Sequence, residues 1–371
     1  MKRILALCLA LLLLCGCVGE NTKPQDNEEL SASNTVGVWI TAFELNEMLK
    51  ARNGFQQEFS SALDNLQSRG VNCIYVHVRA FADAYYPSAL YSMVKGVEEN
   101  SDPLKIMVDG VKKRGMKLFA WINPYRISTS TNDKSVVEDA LIKTVGKENI
   151  LSTENGLYFN PAADTVRRLV IDGVREVVKN YQVDGIHFDD YFYPTKDQTF
   201  DNASYTAYRE GAATPLSLED WRRANVNALI SGTYRAIKAI DDKVLFSISP
   251  AANISSNYND LFADVRAWCD GGYVDEIIPQ LYFGFEYPDK AFRFDALLDT
   301  WKDYLGDAPV RLLIGLPCYK AYTPTDADRA EWSKYDDIIP RQIQCIKEKT
   351  PQAGYVYFSY SSLKNGGKYE N

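Results

Sequence analysis

The sequence predicts a (β/α)8 barrel, an α/β fold of the TIM-barrel class, on three observations. Eight short apolar or β-branched runs alternate with segments of helical periodicity along the chain. Such alternation implies a parallel sheet with right-handed crossovers, and eight units of this size fit a closed barrel. No glycine-rich turn of the GxGxxG or GxxxxGK[ST] kind follows any run, which counts against a doubly wound open sheet, the alternative. The long connections, 79–103, 123–164 and 191–216, follow runs two, three and four rather than precede them. In a barrel they build one wall of a cleft.

In chain order, Lys2 and Arg3 open a short positive region, residues 4–14 are apolar, and Leu14-Cys15-Gly16-Cys17 closes the segment. The apolar stretch is too short to span a bilayer and reads as a signal peptide over residues 1–16. Its end resembles a bacterial lipobox, with Cys17 as the lipidated residue. A plain secretory signal, or modification at Cys15, is the alternative. Residues 17–34 are polar and read as a lipidated terminus and flexible tether. The expected location is therefore the bacterial cell envelope, with the membrane as a partner through a lipid anchor at Cys17.

The barrel is expected over residues 35–364, with a tail at 365–371, and this length suffices for all eight units. Strands are expected at 36–41, 72–78, 117–122, 183–188, 244–248, 274–280, 311–316 and 354–358. Helices are expected at 55–69, 104–114, 165–181, 218–240, 258–269, 290–304 and 338–349. In the third, Val166, Leu169, Val170, Val174, Val177 and Val178 recur at threes and fours, the stripe of a helix packed on one side. Arg69-Gly70, Arg114-Gly115 and Asp270-Gly271-Gly272 supply turn signals where helices end.

Composition excludes several classes. The formal net charge of −8 gives no reason to expect nucleic acid or anionic lipid as a partner. Cys73, Cys269, Cys318 and Cys345 form no CxxC pair, so no zinc ribbon or thioredoxin-like site is expected. His77 and His187 are the only histidines. That argues against a histidine-rich metallohydrolase or deacetylase and against an ordinary Ser-His-Asp hydrolase. Neither cofactor nor metal is expected.

Chemistry concentrates at the ends of the runs. The fourth closes in His187-Phe188-Asp189-Asp190-Tyr191, two carboxylates among aromatic rings. Acids move protons or stabilise cationic transition states while rings stack on sugar faces; helix capping by the Asp pair is the plainer alternative. Side chains alternate along a strand, so His187 and Asp189 share one face and Phe188 and Asp190 the other. With Phe188 outward, Asp189 is the expected principal carboxylate, nucleophile or base. Asp190 is expected to point away, in support, unless the strand end twists. His187 orients Asp189 or a sugar hydroxyl, or is a core histidine. After the second run come Arg79 and Asp83, the latter the leading candidate for the acid or a loop-holding partner of Arg79. The third ends in Trp121, Asn123, Tyr125 and Arg126, suited to a glycan floor. Gln280, Tyr282 and Glu286 follow the sixth run, and Glu44 the first. Either Glu is a rim acid or a solvated loop residue.

Together these segments resemble the glycosyl hydrolase-like 10 family. The likeness rests on Val38-Trp39-Ile40-Thr41, Val78-Arg79 with Asp83-Ala84 and Tyr86-Pro87-Ser88, and the run from Ala120 to Arg126. It continues through Phe159-Asn160-Pro161, the run from Val183 to Pro194, Asp220-Trp221-Arg222-Arg223, Ser247 to Pro250, and Pro279 to Tyr282. It covers nearly all of residues 35–363 in order. The resemblance implies a glycosidase barrel acting on a bacterial cell-wall glycan, specifically peptidoglycan strands stripped of their peptides. The departures from one close relative in that family are His187, where the relative has Gln, and Phe81-Ala82-Asp83, where its turn is more polar. A catalytically inactive glycan-binding lipoprotein is the other reading, since rim aromatics serve both.

Overall fold

The structure, a computed structural model, describes residues 31–129 and 133–364. The signal peptide, Cys17, most of the tether and the 365–371 tail lie outside the described residues. Eight parallel strands form a closed barrel, each paired with the next in sequence and the last with the first. They are β1 (Val36–Ile40), β2 (Cys73–Arg79), β3 (Lys117–Ile122), β4 (Gly185–Phe188), β5 (Leu245–Ile248), β6 (Glu276–Ile277), β7 (Arg311–Leu316) and β8 (Gly354–Phe358). Seven of the surrounding helices are α1 (Phe55–Ser68), α2 (Pro103–Lys112), α3 (Asp164–Asn180), α4 (Leu218–Lys238), α5 (Val265–Asp270), α6 (Phe294–Leu305) and α7 (Ile338–Lys349).

Two elements depart from expectation. The sixth run was expected over seven residues, but its ladder covers only Glu276–Ile277. Pro279 has no N–H to donate, and pairing continues only through single bridges of Gln280 to Ala251 and Gly315. The helix expected at 258–269 is two short ones, Ile254–Asn259 and α5. Between them Phe262 takes φ 54°, with its ring 5.2 Å from that of Tyr193 and 5.0 Å from the Arg222 guanidinium. Tertiary packing of that ring overrides the helical periodicity.

The period of two sorts the strands into two faces. Val38, Ile40, Ile74, Val76, Val78, Ala120, Ile122, Ile186 and Phe188 join the hydrophobic layer under the helices. The other face fills the barrel with aromatic and polar groups. Tyr75 lies 4.7 Å from Phe119 and reaches across to His187 at 5.0 Å. Glycine at 185 makes room for this filling, because a Cβ there would sit 2.3 Å from the Phe119 ring. At the N-terminal end, Tyr75 donates its hydroxyl to Glu276 at 2.7 Å, and Arg311 lies 3.3 Å from the other Glu276 oxygen. Burial pushes the Glu276 carboxyl up, opposed by Arg311 and by hydrogen bonds from Tyr75 and Ser247. Conserving charge balance in the interior, this group serves the barrel base, away from the end where the strands open into loops.

The barrel also needs its first and last strands held together at the rim. Glu44 supplies that link. It completes a capping box with Thr41. One of its oxygens accepts the Ser359 hydroxyl at 2.7 Å and the Ser361 N–H at 2.6 Å. Its carboxylate is thus committed to the β1–β8 junction.

Candidate active site

Asp189 follows β4 directly and is held by three donors at the C-terminal mouth. The Trp121 indole N–H reaches Oδ2 at 2.9 Å, the Asn123 amide donates at 3.1 Å to Oδ1, and the Tyr191 backbone N–H at 3.2 Å. Asn123 is oriented in turn, since its Oδ1 accepts the backbone N–H of Tyr125 at 3.3 Å and of Arg126 at 2.9 Å. Trp121 lies against His77, ring centroids 3.3 Å apart. The Ala42 N–H donates to His77 Nδ1, so the neutral ring carries its proton on Nε2; burial holds its pKa well below the usual value. Burial likewise pushes the Asp189 pKa up, while the Arg126 charge and the three donors pull it back toward the anion.

Asp190 does not point away. The expected alternation ends with β4 at Phe188, and a tight turn follows in which the Phe192 N–H returns to the Asp190 carbonyl at 2.9 Å. The Asp190 side chain therefore turns to the mouth, half-buried, and is hydrogen-bonded to Gln280 beyond β6. Burial and the neighbouring Asp189 charge push it up to about 7. Gln280 is itself fixed by donating to the Ser249 carbonyl at 3.0 Å. The two carboxylates thus face opposite sides of the mouth, Asp189 toward β3 and Asp190 toward β6.

Aromatic groups flank both. Arg126 lies over the Tyr191 ring at 3.7 Å, and Tyr191 is 49% exposed. On the other side Tyr282 packs edge-on to Tyr319 at 6.0 Å and against Phe358 at 5.6 Å. A cavity of about 380 Å³ opens beside them, between the loops after β5, β6 and β7. A larger one, about 550 Å³, lies at the opposite end among Ala32, Leu305, Arg311 and Ala353. It is remote from both aspartates, so size alone does not locate the chemistry.

Other expected site residues lie elsewhere. His187 is sealed beneath the mouth, accepting the Trp39 indole N–H at 3.1 Å and bonded to Ser247 at 3.0 Å. Burial lowers its pKa to about 3, so it is a neutral core group that supports the floor. Tyr125 is fully buried, its ring sensing Arg167 of α3, and so packs under the helices. Arg79, also buried, clamps the Phe81 and Pro124 carbonyls at 3.2 and 3.4 Å. Asp83 sits in a two-residue ribbon with Ser92–Met93. Burial raises its pKa and the Arg79 charge opposes the rise. Glu286 is exposed, accepting from the Tyr335 hydroxyl at 3.0 Å with Lys334 at 3.6 Å. Among the described residues no group of three or more His, Cys, Asp or Glu could hold a metal ion. Tyrosines that follow the fourth, sixth, seventh and eighth runs, Tyr319 among them, read as cleft lining from the sequence, whereas Tyr287 and Asn253 were not singled out.

The sequence model of the glycosyl hydrolase-like 10 family matches residues 34–334. The glycosyl hydrolase YngK of Bacillus subtilis is 33% identical over 368 residues, covering 91% of this chain and 69% of that protein. The glycosyl hydrolase DigH of Escherichia coli K12 is 30% identical over 363 residues, covering 85% of this chain and 82% of that one. Among solved structures, the PgaB (BpsB) glycoside hydrolase domain of Bordetella bronchiseptica superposes with a TM-score of 0.62 at 13% identity, covering 89% of this chain and 95% of that one. The catalytic domain of a Paenibacillus polymyxa β-amylase gives 0.59 at 11% identity, covering 90% and 94%. At such identities these two share the fold.

Proposed function

The chain belongs to the glycosyl hydrolase-like 10 family and is a glycoside hydrolase, and from that premise we propose that it cleaves peptide-free peptidoglycan strands. Asp190 is the proton donor and Asp189 the fixed anion. The observation that carries the assignment is the contrast between the two adjacent carboxylates. Three donors and Arg126 favour the charged form of Asp189. Asp190, with fewer donors and a charged neighbour, keeps its proton to about pH 7. Burial raises both carboxyls, and it is the larger set of donors opposing it at Asp189 that assigns the anion there and the acid to Asp190.

In this reading a glycan lies across the mouth with its scissile oxygen at Asp190. Asp190 protonates that oxygen as the bond to the anomeric carbon breaks, the Asp189 anion stabilises the positive charge that develops there, and a water then adds to that carbon and gives its proton to the Asp190 carboxylate. Tyr191 and Tyr282 offer ring faces on either side for sugar stacking. The cell-wall substrate is supported by the family resemblance and by the export signal. An anchor at Cys17 would hold the enzyme in the envelope beside its polymer.

Purified protein incubated with peptide-free strands and with intact peptidoglycan tests the substrate, with products read by mass spectrometry. Soluble oligosaccharides from the stripped strands, and far fewer from the intact polymer, are expected. Equal release from both, or none from the stripped strands, overturns this substrate.

A further inference from the structure

We propose that the cavity between the loops after β5, β6 and β7 is a subsite for one neutral pyranose and that it rejects carboxylate-bearing sugars. This rests on the glycosidase reading above and extends it to a site that the two aspartates do not define. Its position follows from two shared residues. Gln280 and Tyr282 line the cavity, and the same two adjoin Asp190, one by hydrogen bond and the other by charge. A sugar seated there is next to the proton donor.

Size and shape suit a single unit. A volume of about 380 Å³ lies at the small end of ligand pockets. Tyr282 and Tyr319 meet at 82°, forming a corner with one ring face and one ring edge, which matches the flat C–H face of a pyranose. Burial raises the pKa of both hydroxyls, Tyr319 to about 12, so both stay protonated donors. Among the described residues, the hydroxyls of Tyr282, Tyr287 and Tyr319 have no protein hydrogen-bond partner. Asn253 uses its oxygen to accept the Ser256 N–H at 3.2 Å. That leaves its NH2 as the donor for a sugar hydroxyl or an acetamido carbonyl.

Charge decides the class of sugar. The cation in the wall, Lys320, is 3% exposed and is bonded to the buried Asp328. The Thr325 hydroxyl secures the same carboxylate at 2.7 Å. With its positive charge already matched, the pocket offers a carboxylated sugar no counterion for the hydration it must shed. A neutral unit loses only hydrogen bonds that the tyrosines and Asn253 replace.

The test is calorimetric titration of the full chain carrying Asp190→Asn, so that ligand is not consumed. The probes are an N-acetylglucosamine trimer and a galacturonate trimer. The neutral trimer is expected to bind at least about tenfold more tightly, roughly 1.4 kcal/mol. Adding Tyr319→Ala or Tyr287→Ala should weaken it about tenfold, whereas Tyr319→Phe, which keeps the ring, should retain most of the affinity. In the otherwise unaltered enzyme the alanine variants should raise KM more than they lower kcat, the sign of binding lost equally in ground and transition states. Thermal unfolding midpoints confirm that each variant is folded. Equal affinity for both trimers, or alanine variants that bind as their parent does, overturns the subsite. Should Asp190→Asn itself prove active while this binding pattern holds, the subsite stands and only the acid assignment falls. Should the protein bind neither trimer, the subsite falls whatever the outcome with cell-wall strands.

Discussion

Replacing Trp121 with Phe removes one hydrogen bond from the centre of the site and little else. The ring remains against His77, and the N–H that reaches Asp189 at 2.9 Å is lost. Asn123 and the Tyr191 N–H stay in place as donors. A hydrogen bond to a charged group is worth about 1.5–3 kcal/mol, and about 1.4 kcal/mol moves a pKa by one unit. Because the donor favours the anion, its loss raises the Asp189 pKa by about one to two units. The acidic limb of kcat/KM against pH reports that group in the free enzyme. It should move to higher pH by this amount on a soluble glycan, with circular dichroism showing the fold intact. An acidic limb that stays where it was would refute the claim that Asp189 works as an anion held by these donors.

Further predictions bear on stability and location. Asp190 holds its proton to about pH 7 when folded but to about pH 4 when unfolded. The folded state then binds more protons, and stability falls as pH rises between those values, by on the order of 4 kcal/mol. Asp190→Asn lacks this loss, so urea unfolding should show it gaining on the parent far more at pH 8 than at pH 4; an equal difference at both contradicts the shift. Arg222 and Asp201 form a buried pair at 2.5 Å, with Arg222 also binding the Asp197 carbonyl at 2.7 Å in the loop after β4. Arg222→Ala strands a buried carboxylate and should cost about 3–5 kcal/mol, read from the urea midpoint; a loss under about 1 kcal/mol contradicts it. Cys17→Ser should release the protein from membrane fractions or block its maturation, and unchanged retention on immunoblots counts against an anchor there.

Much of the barrel was legible because strand and helix periods differ so plainly. Runs such as 117–122, apolar after Lys117, and 354–358 are dominated by apolar and aromatic residues, and each coincides with its strand. What failed to show was decided at a distance. The interruption at Phe262 depends on Tyr193 and Arg222, which are far away in sequence. Glu276 lies within an apolar run, and only the folded barrel brings Tyr75 and Arg311 to it. At the mouth, Trp121, Asn123 and Asp189 were placed on inward faces by alternation alone, and they touch. Asp190 was misdirected by the same rule, because regular alternation stops where the strand does and the next three residues turn. Arg79 and His187 read as cleft groups because polar residues near strand ends usually face solvent. Here backbone carbonyls and Trp39 satisfy them inside.

The division of labour between the two aspartates is most directly tested by leaving-group dependence. An aryl glycoside with an acidic phenol departs without a proton, whereas an ordinary glycosidic oxygen needs one. Asp190→Asn should therefore lose about 10²–10⁴-fold in kcat/KM on a natural glycan and keep most of its rate on the activated aryl glycoside. Asp189→Asn should lose activity on both, since the developing positive charge needs its anion in either case. The reverse pattern, or near-normal turnover of natural glycan by Asp190→Asn, would contradict the account.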